Sequence, residues 1–445
     1  MTKITSLLNP FLPRLRRRVR EFFKPYRNVP LLSWLAAGLT AVILEQLFGY
    51  ALAPLIGLSK PPALFGVALI LSEPALFFSA LIYLLLIFVL PVLLVSRLIR
   101  DPGNRAAAWL TRFPLTVTAL VHMLLLYAIL HIWTDLSSYR LLVTRLAMIS
   151  IIVTLSLNVI NGYMGEFSCS HPGFLALGAY AASAFTVVLF VSENLFGEAL
   201  LPLTWAPFFF PVSLILGGIA ASLGALLVAV PSFRTRGDYL AIISLAFMFI
   251  VISLFENLEV VGGARGISNQ PDLANLPTIF IWTMLSIWII NNFVRSTLGK
   301  ALSAVRDGEL AANAMTVNTR RTKMVAFLFA AFWAGVAGGL FAHVIRYINP
   351  GTFGIRKLAE VLAMVYFGGL NSVTGSIVGA VGFSLISEAM RPLNIYKWIL
   401  IPIMLILIMI FRPMGLIAFT EFDLETLFQP KAVPGEEEGA DHGAA

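Results

Sequence analysis

The sequence predicts an all-α, polytopic transmembrane helical bundle of about 11–12 spans with broken or re-entrant helices, and three observations carry that prediction. Of 445 residues, 59% are hydrophobic and 12% charged, about half the charged share of an ordinary soluble domain. A soluble fold has too little interior for so much apolar surface, so lipid is the solvent for most of the chain. Uninterrupted apolar runs such as LFFSALIYLLLIFVLPVLLVS (76–96) are long enough to cross a hydrocarbon layer of about 30 Å as helices. The short alternating segments of a transmembrane barrel are absent.

The elements follow in order. Residues 1–30 hold the basic cluster RLRRRVREFFKPYR, without the short apolar region and small-residue cleavage site of a signal peptide. This is read as a retained cytoplasmic arm, and because its charge adjoins membrane spans it points to the bilayer and not to nucleic acid. An accessory bundle follows over 31–138, with Leu/Phe-rich spans at 33–56, 76–96 and 115–132. Between the first two, 63–71 is too short to span and reads as an interfacial or re-entrant piece ending at Glu73-Pro74. Glu45, beside Gln46 near the middle of the first span, is costly in lipid and is read as satisfied by a local hydrogen bond or by protonation. The core domain, 139–418, has spans at 141–160, 174–190, 210–230, 239–256, 278–293, 324–344, 358–370, 376–390 and 398–411. Here Gly and Ala recur at helix-packing spacing, as in LILGGIAASLGALL and WAGVAGGLF, where neighbouring backbones can approach closely. Residues 419–445, with EEEGADHGAA, read as a solvated, disordered acidic cytoplasmic tail.

Positive charge orients the stack. Arg97, Arg100, Arg105 and Arg112 mark one cytoplasmic loop, Arg234 and Arg236 a second, and Lys300, Arg306, Arg320, Arg321 and Lys323 a third. Even numbers of spans separate these loops, so both termini are expected in the cytoplasm provided 358–370 crosses.

Several chemistries are excluded. There is no GxxxxGK[ST] phosphate loop, so ATP is not hydrolysed by this chain. There is no GxSxG or HExxH signature, and no catalytic residue is assigned. His122, His131 and His343 lack carboxylate or cysteine partners at ligand spacing, so no metal is expected, and the single cysteine, Cys169, excludes an internal disulfide. Four glycine-centred stretches do stand out. GYMGEFSCSHPGFLALGAY contains Ser168, His171 and Gly173; RTRGDYLAIISLAF places Asp238 as a helix N-cap; ENLEVVGGARGISNQPDL contains Gly262, Gly263 and Gly266; FGGLNSVTGSIVGA contains Gly368 and Gly369. One meaning is tight turns and close helix contacts. The other is broken backbone facing a polar path, where helix ends present N–H or C=O groups to substrate, and on that reading these Ser, His and Gly residues are substrate-pathway candidates. A helix N-terminus suits the carboxylate of an amino acid, which permits such a substrate without selecting it. Glu256, Glu360 and Glu388 lie near span ends.

The most polar stretch of the second half, 299–323, lies between two spans on the arginine-rich side. SAVRDGELAANAM has the composition of a helix in which Glu309, Ala312 and Met315 share a face, and Ala311, Ala312 and Ala314 are small enough to fit a groove on another protein. At these residues the sequence resembles a known family: the permease subunits of bacterial ABC importers for branched-chain amino acids, of the LivM type, with urea and short-amide permeases as close relatives. The resemblance covers roughly 141–416 and rests on the stretches quoted above, on VVGGARGIS, LGKALSAVRDGELAANAM, AFWAGVAGGLFAHVIRYINPGTFG and VYFGGLNSVTGSIVGA, and on FRPMGL near the end. The accessory spans look like the N-terminal extension of some members.

The resemblance implies that Arg306, Asp307, Glu309, Ala311, Ala312 and Met315 form the ATPase-coupling segment, with Glu309, Ala311 and Ala312 as an E-x-A-A signature. It implies ABC ATPase subunits that bind ATP and Mg, so that this chain holds no cofactor. It also implies a second homologous permease in a heterodimer, a soluble extracytoplasmic substrate-binding protein and a place in the bacterial inner membrane. Two positions depart from the family pattern: Thr316, where glycine usually follows the Met, and Arg265, where a neutral residue is usual. A urea or short-amide permease, or a stand-alone ion-coupled transporter using Glu45 or Glu388, are the alternatives.

Overall fold

Each proposed span falls on a helix in the computed structural model, which describes residues 24–66, 73–192, 197–233, 239–412, 415–418 and 423–431. Among these residues ten helices are long and apolar enough to cross a membrane. Chain contacts divide the protein into two units, Met1–Ser137 with Asp423–Ala445, and Ser138–Phe422.

In the first unit, α1 (Leu31–Leu55), α2 (Pro74–Leu98) and α4 (Leu115–Asp135) are spans, and the polar α3 (Arg100–Leu110) links the last two. Prolines precede α1 and α4 at Pro30 and Pro114, where a missing N–H costs nothing. Pro91 sits inside α2, directly after a π-helical turn at Leu85–Val89. The proline ring clashes with the carbonyl one turn back, and the wider turn relieves it. Glu45 is fully buried on α1 and accepts a hydrogen bond from the Tyr83 hydroxyl on α2 at 3.3 Å, a partner 38 positions away on the next span.

The second unit is built around α5 (Ser138–Met164), whose apolar stretch is 78% buried. A helix covered on nearly every side belongs at the centre of a bundle. Around it stand α6 (His171–Phe190), α7 (Leu203–Ser232), α8 (Tyr239–Asn257) and α9 (Leu276–Arg295). After the short helices α10 (Thr297–Asp307) and α11 (Glu309–Ala314) come α12 (Thr319–Ile345), α13 (Ile355–Gly368), α14 (Val373–Ala389) and α15 (Arg391–Phe411). Two two-residue strands, β1 (Ile267–Ser268) and β2 (Tyr347–Ile348), pair antiparallel.

The glycine pattern has a physical cause. Gly178 on α6 faces the backbone of Gly335 on α12, and a Cβ at Gly217 on α7 would lie 2.8 Å from the Gly178 carbonyl. Three helices therefore meet backbone to backbone, which replaces a hydrophobic driving force that lipid does not supply. Gly368 at the end of α13 likewise faces the backbone of Gly375 on α14.

Two expectations are modified. The helix over proposed span 358–370 has 14 residues, about 21 Å of rise, so α13 is too short to cross a 30 Å layer alone. Part of the presumed tail is ordered: in α16 (Leu424–Phe428) Asp423 caps the first turn, and Phe428 is buried with its ring 4.4 Å from that of His122. An apolar pair with a capping aspartate suffices for one turn of helix against the first unit. The basic cluster up to Phe23, residues 67–71 of the interfacial piece, Arg234, Arg236 and Asp238, and the EEEGADHGAA tail lie outside the described residues.

Candidate functional site

The polar segment 299–323 folds as two short helices with a break at Gly308, whose extended backbone ends α10 and starts α11. The Ser296 side chain accepts from the Gly299 N–H at 3.3 Å and caps α10, which buries Gly299, Leu302 and Val305 at spacings that share a face. The end of α11 is a Schellman turn: Val317 N–H reaches Ala312 C=O and Thr316 N–H reaches Asn313 C=O, both at 3.1 Å. Thr316 is the left-handed residue of that turn, with φ 66°. Thr316 thus holds a β-branched side chain in the left-handed conformation that glycine favours.

Burial turns α11 relative to expectation. Ala312 is 5% exposed and packs into the chain itself, while Leu310 and Met315 are 86% and 77% exposed. The free face is therefore Leu310, Ala311, Ala314 and Met315, and Ala312 is the seat of the helix. Glu309 points back: Lys323, in the first turns of α12, donates to Glu309 Oε2 at 2.9 Å and to Glu166 Oε1 at 2.7 Å. The Lys323 side chain is 11% exposed, against 26% for Glu166 and 52% for Glu309. Arg306 adds a second tie: it pairs with Asp307 at 2.9 Å, its stem lies over Gly165, and its Nη1 reaches the Gly162 carbonyl at 3.5 Å. Gly162 and Gly165 belong to a π-helical end of α5 that closes on Gly165 with φ 75°. The stretch GYMGEF is thus the socket that holds the polar helices. Glu166 and Lys323 were not singled out for this role by the sequence; the cue was a lysine inside the first turns of a span.

The pathway candidates separate into two groups. Ser168 and His171 are fully buried beside the same socket, with Ser168 N–H donating to Asn161 and its hydroxyl 2.8 Å from that of Ser170. Gly173 packs against Phe247 on α8. Gly368 and Gly369 lie close by, joined through Asn158, which no sequence argument named. The Asn158 amide donates to Gly369 C=O (3.3 Å), Ser372 C=O (3.0 Å) and Ser376 Oγ (2.6 Å), and its oxygen accepts from Asn371 N–H (3.0 Å). One asparagine thereby holds the turn between α13 and α14 against α5. Gly262, Gly263 and Gly266 form the other group, a run of positive-φ turns leading into β1, where Gly266 faces the backbone of Ile348. They line an open cavity of about 1180 Å3 together with Glu198, Glu256, Glu259 and Arg265. Burial pushes the Cys169 thiol up from its ordinary range. Among the described residues no group of three or more His, Cys, Asp or Glu is placed to hold a metal ion.

Residues 139–409 match the family described as branched-chain amino acid transport system / permease component. The chain belongs to this family. Its residues are 32% identical to the high-affinity branched-chain amino acid transport system permease protein LivM of Escherichia coli, covering 64% of the chain and 71% of that protein. They are 31% identical to LivM of Salmonella typhimurium over the same shares. A shorter match, 28% identical over 33% of the chain and 48% of the relative, reaches the permease protein BraD of Pseudomonas aeruginosa. No solved structure matches. As a permease component the chain is a multi-pass membrane subunit of an ABC importer and not an enzyme, and ATP hydrolysis belongs to another component.

Proposed function

We propose that this chain carries branched-chain amino acids inward across the cytoplasmic membrane, with α13 and α14 entering and leaving the bilayer on one side, so that the ten long helices keep both termini in the cytoplasm. It pairs with a second homologous permease, takes substrate from a soluble extracytoplasmic binding protein, and leaves ATP and Mg to partner ATPase subunits. Arg306, Asp307, Glu309, Ala311, Ala312 and Met315 form the coupling segment, with Leu310 and Met315 as the apolar knob that enters the ATPase. The observation that supports this reading is the attachment of α11: Glu309 and Arg306 tie it to the ends of α12 and α5, while its apolar side projects unpaired. A helix so held transmits a push from a partner to the spans. The test is ATP-driven uptake of leucine by the complete transporter reconstituted in liposomes, with urea as the competing substrate. An Arg306→Ala, Glu309→Ala double variant is expected to insert and assemble but to lose most uptake. Full uptake by that variant sinks the coupling assignment, and urea uptake in place of leucine sinks the substrate.

A further inference from the structure

Between α5, α12, α13 and α14, inside the second unit, lies a cavity of about 210 Å3 that none of the coupling residues touches. Its lining has apolar side chains, Val153, Val361 and Met364 among them. The same lining carries four charged residues, Lys357, Glu360, Glu388 and Lys397. Charges on the walls of an apolar bundle are costly and mark a path or a ligand unless they neutralise one another. Lys357 and Glu360 do neutralise one another, at 3.3 Å. Glu388 is paired with Arg391 and not with Lys397. The Tyr139 hydroxyl donates to Glu388 Oε2 at 2.8 Å and Arg391 pairs with the same oxygen at 3.7 Å. Lys397 has no ion pair among the described residues, and its ammonium lies 5.4 Å from the centre of the Trp398 ring.

An ammonium without an ion pair, a carboxylate and apolar side chains in the lining of one small cavity are complementary to one chemical class. We propose that this cavity is a transit site for a zwitterionic amino acid with an aliphatic side chain: Lys397 binds the carboxylate, Glu388 Oε1 accepts from the ammonium, and the side chain rests on Val153, Val361 and Met364. The volume is below the roughly 300–1,000 Å3 of drug-sized pockets and suits a molecule of amino-acid size. The inference rests on the importer reading above and deepens it by locating the substrate at a place where no glycine-centred motif pointed.

The test uses the chain's single cysteine. In the complete transporter carrying Cys169→Ser and Ser387→Cys, with position 387 on the cavity wall, the rate of modification by a small maleimide is measured with leucine and with leucinol, which lacks the carboxylate. Leucine is expected to slow modification by 1 + [L]/Kd, about threefold at twice Kd, and leucinol is not. Adding Lys397→Gln raises the leucine concentration needed by about tenfold, as expected for one lost charge-assisted bond, and Lys397→Arg restores it. Equal rates with and without leucine, or equal protection by leucinol, overturn the proposal. Uptake is read separately: leucine uptake without protection removes the site and leaves the importer reading standing. Protection without uptake supports the site and counts against the substrate assignment.

Discussion

Replacing Lys323 by Met removes one ammonium from between two carboxylates and leaves the helix-forming stem. Breaking a buried ion pair costs about 3–5 kcal/mol, but neither arm here is fully buried. The Glu309 side chain is 52% exposed, so that arm is worth at most about 1 kcal/mol. The Glu166 side chain is 26% exposed and its contact is shorter, 2.7 Å, which places that arm at about 1–2 kcal/mol. Only the first arm holds α11, so α11 should open more often by about 1 kcal/mol, a roughly fivefold increase in amide hydrogen exchange over 309–318. In proteoliposomes the complete transporter should then hydrolyse more ATP per leucine imported, because the knob is loosely held while the ATPase is intact. Glu309→Gln should reproduce the exchange effect, and the double variant should add little to either single change. Unchanged exchange over 309–318 together with an unchanged ATP-to-leucine ratio would refute the view that Lys323 fastens the coupling helix.

Four further outcomes follow from local geometry. Thr316→Gly relieves a left-handed β-branched residue, a gain of about 1–2 kcal/mol offset by about 0.5–1 for the freer unfolded chain. Exchange of the α11 amides should therefore slow by a factor of about two to five. Gly178→Ala drives a methyl into the Gly335 backbone and should destabilise by about 1–3 kcal/mol. Gly38→Ala, a helix position whose nearest neighbour is Ile129 Cδ1 at 3.6 Å, should raise the melting temperature by the equivalent of about 0.5–1 kcal/mol. Asn158→Leu leaves buried polar groups of the α13–α14 turn without partners, at about 1–3 kcal/mol each, and the loss should appear as a lower melting temperature with faster exchange over 369–376.

The spans were legible because lipid admits only apolar helices, so composition alone constrains them. The small-residue runs announced close contacts, but Gly178 pairs with residues of two other helices, and periodicity within one helix does not name its partners. Lys323 reads locally as one more cytoplasmic charge; its carboxylates lie 14 and 157 positions away. The face of α11 was misjudged at Ala312 for the same reason, since helical spacing groups residues without saying which group the rest of the chain covers. Asn158 stands inside an apolar run, and the four contacts it makes are more than 200 residues distant. Glu360 and Glu388 were visible near span ends, yet their convergence with Lys397 exists only after α13, α14 and α15 have packed.

The glycine junction at Gly335 divides α12 unequally. Twelve residues, about 18 Å of rise, separate it from Lys323, and six residues, about 9 Å, from Phe341 on the cavity wall. The close contact runs on for another turn, with Gly338 against the Leu175 backbone and Gly339 against Leu214 and Ala182. So α6, α7 and α12 are joined along a line and not at a pivot, and a push at the Lys323 end reaches Phe341 through all three helices together.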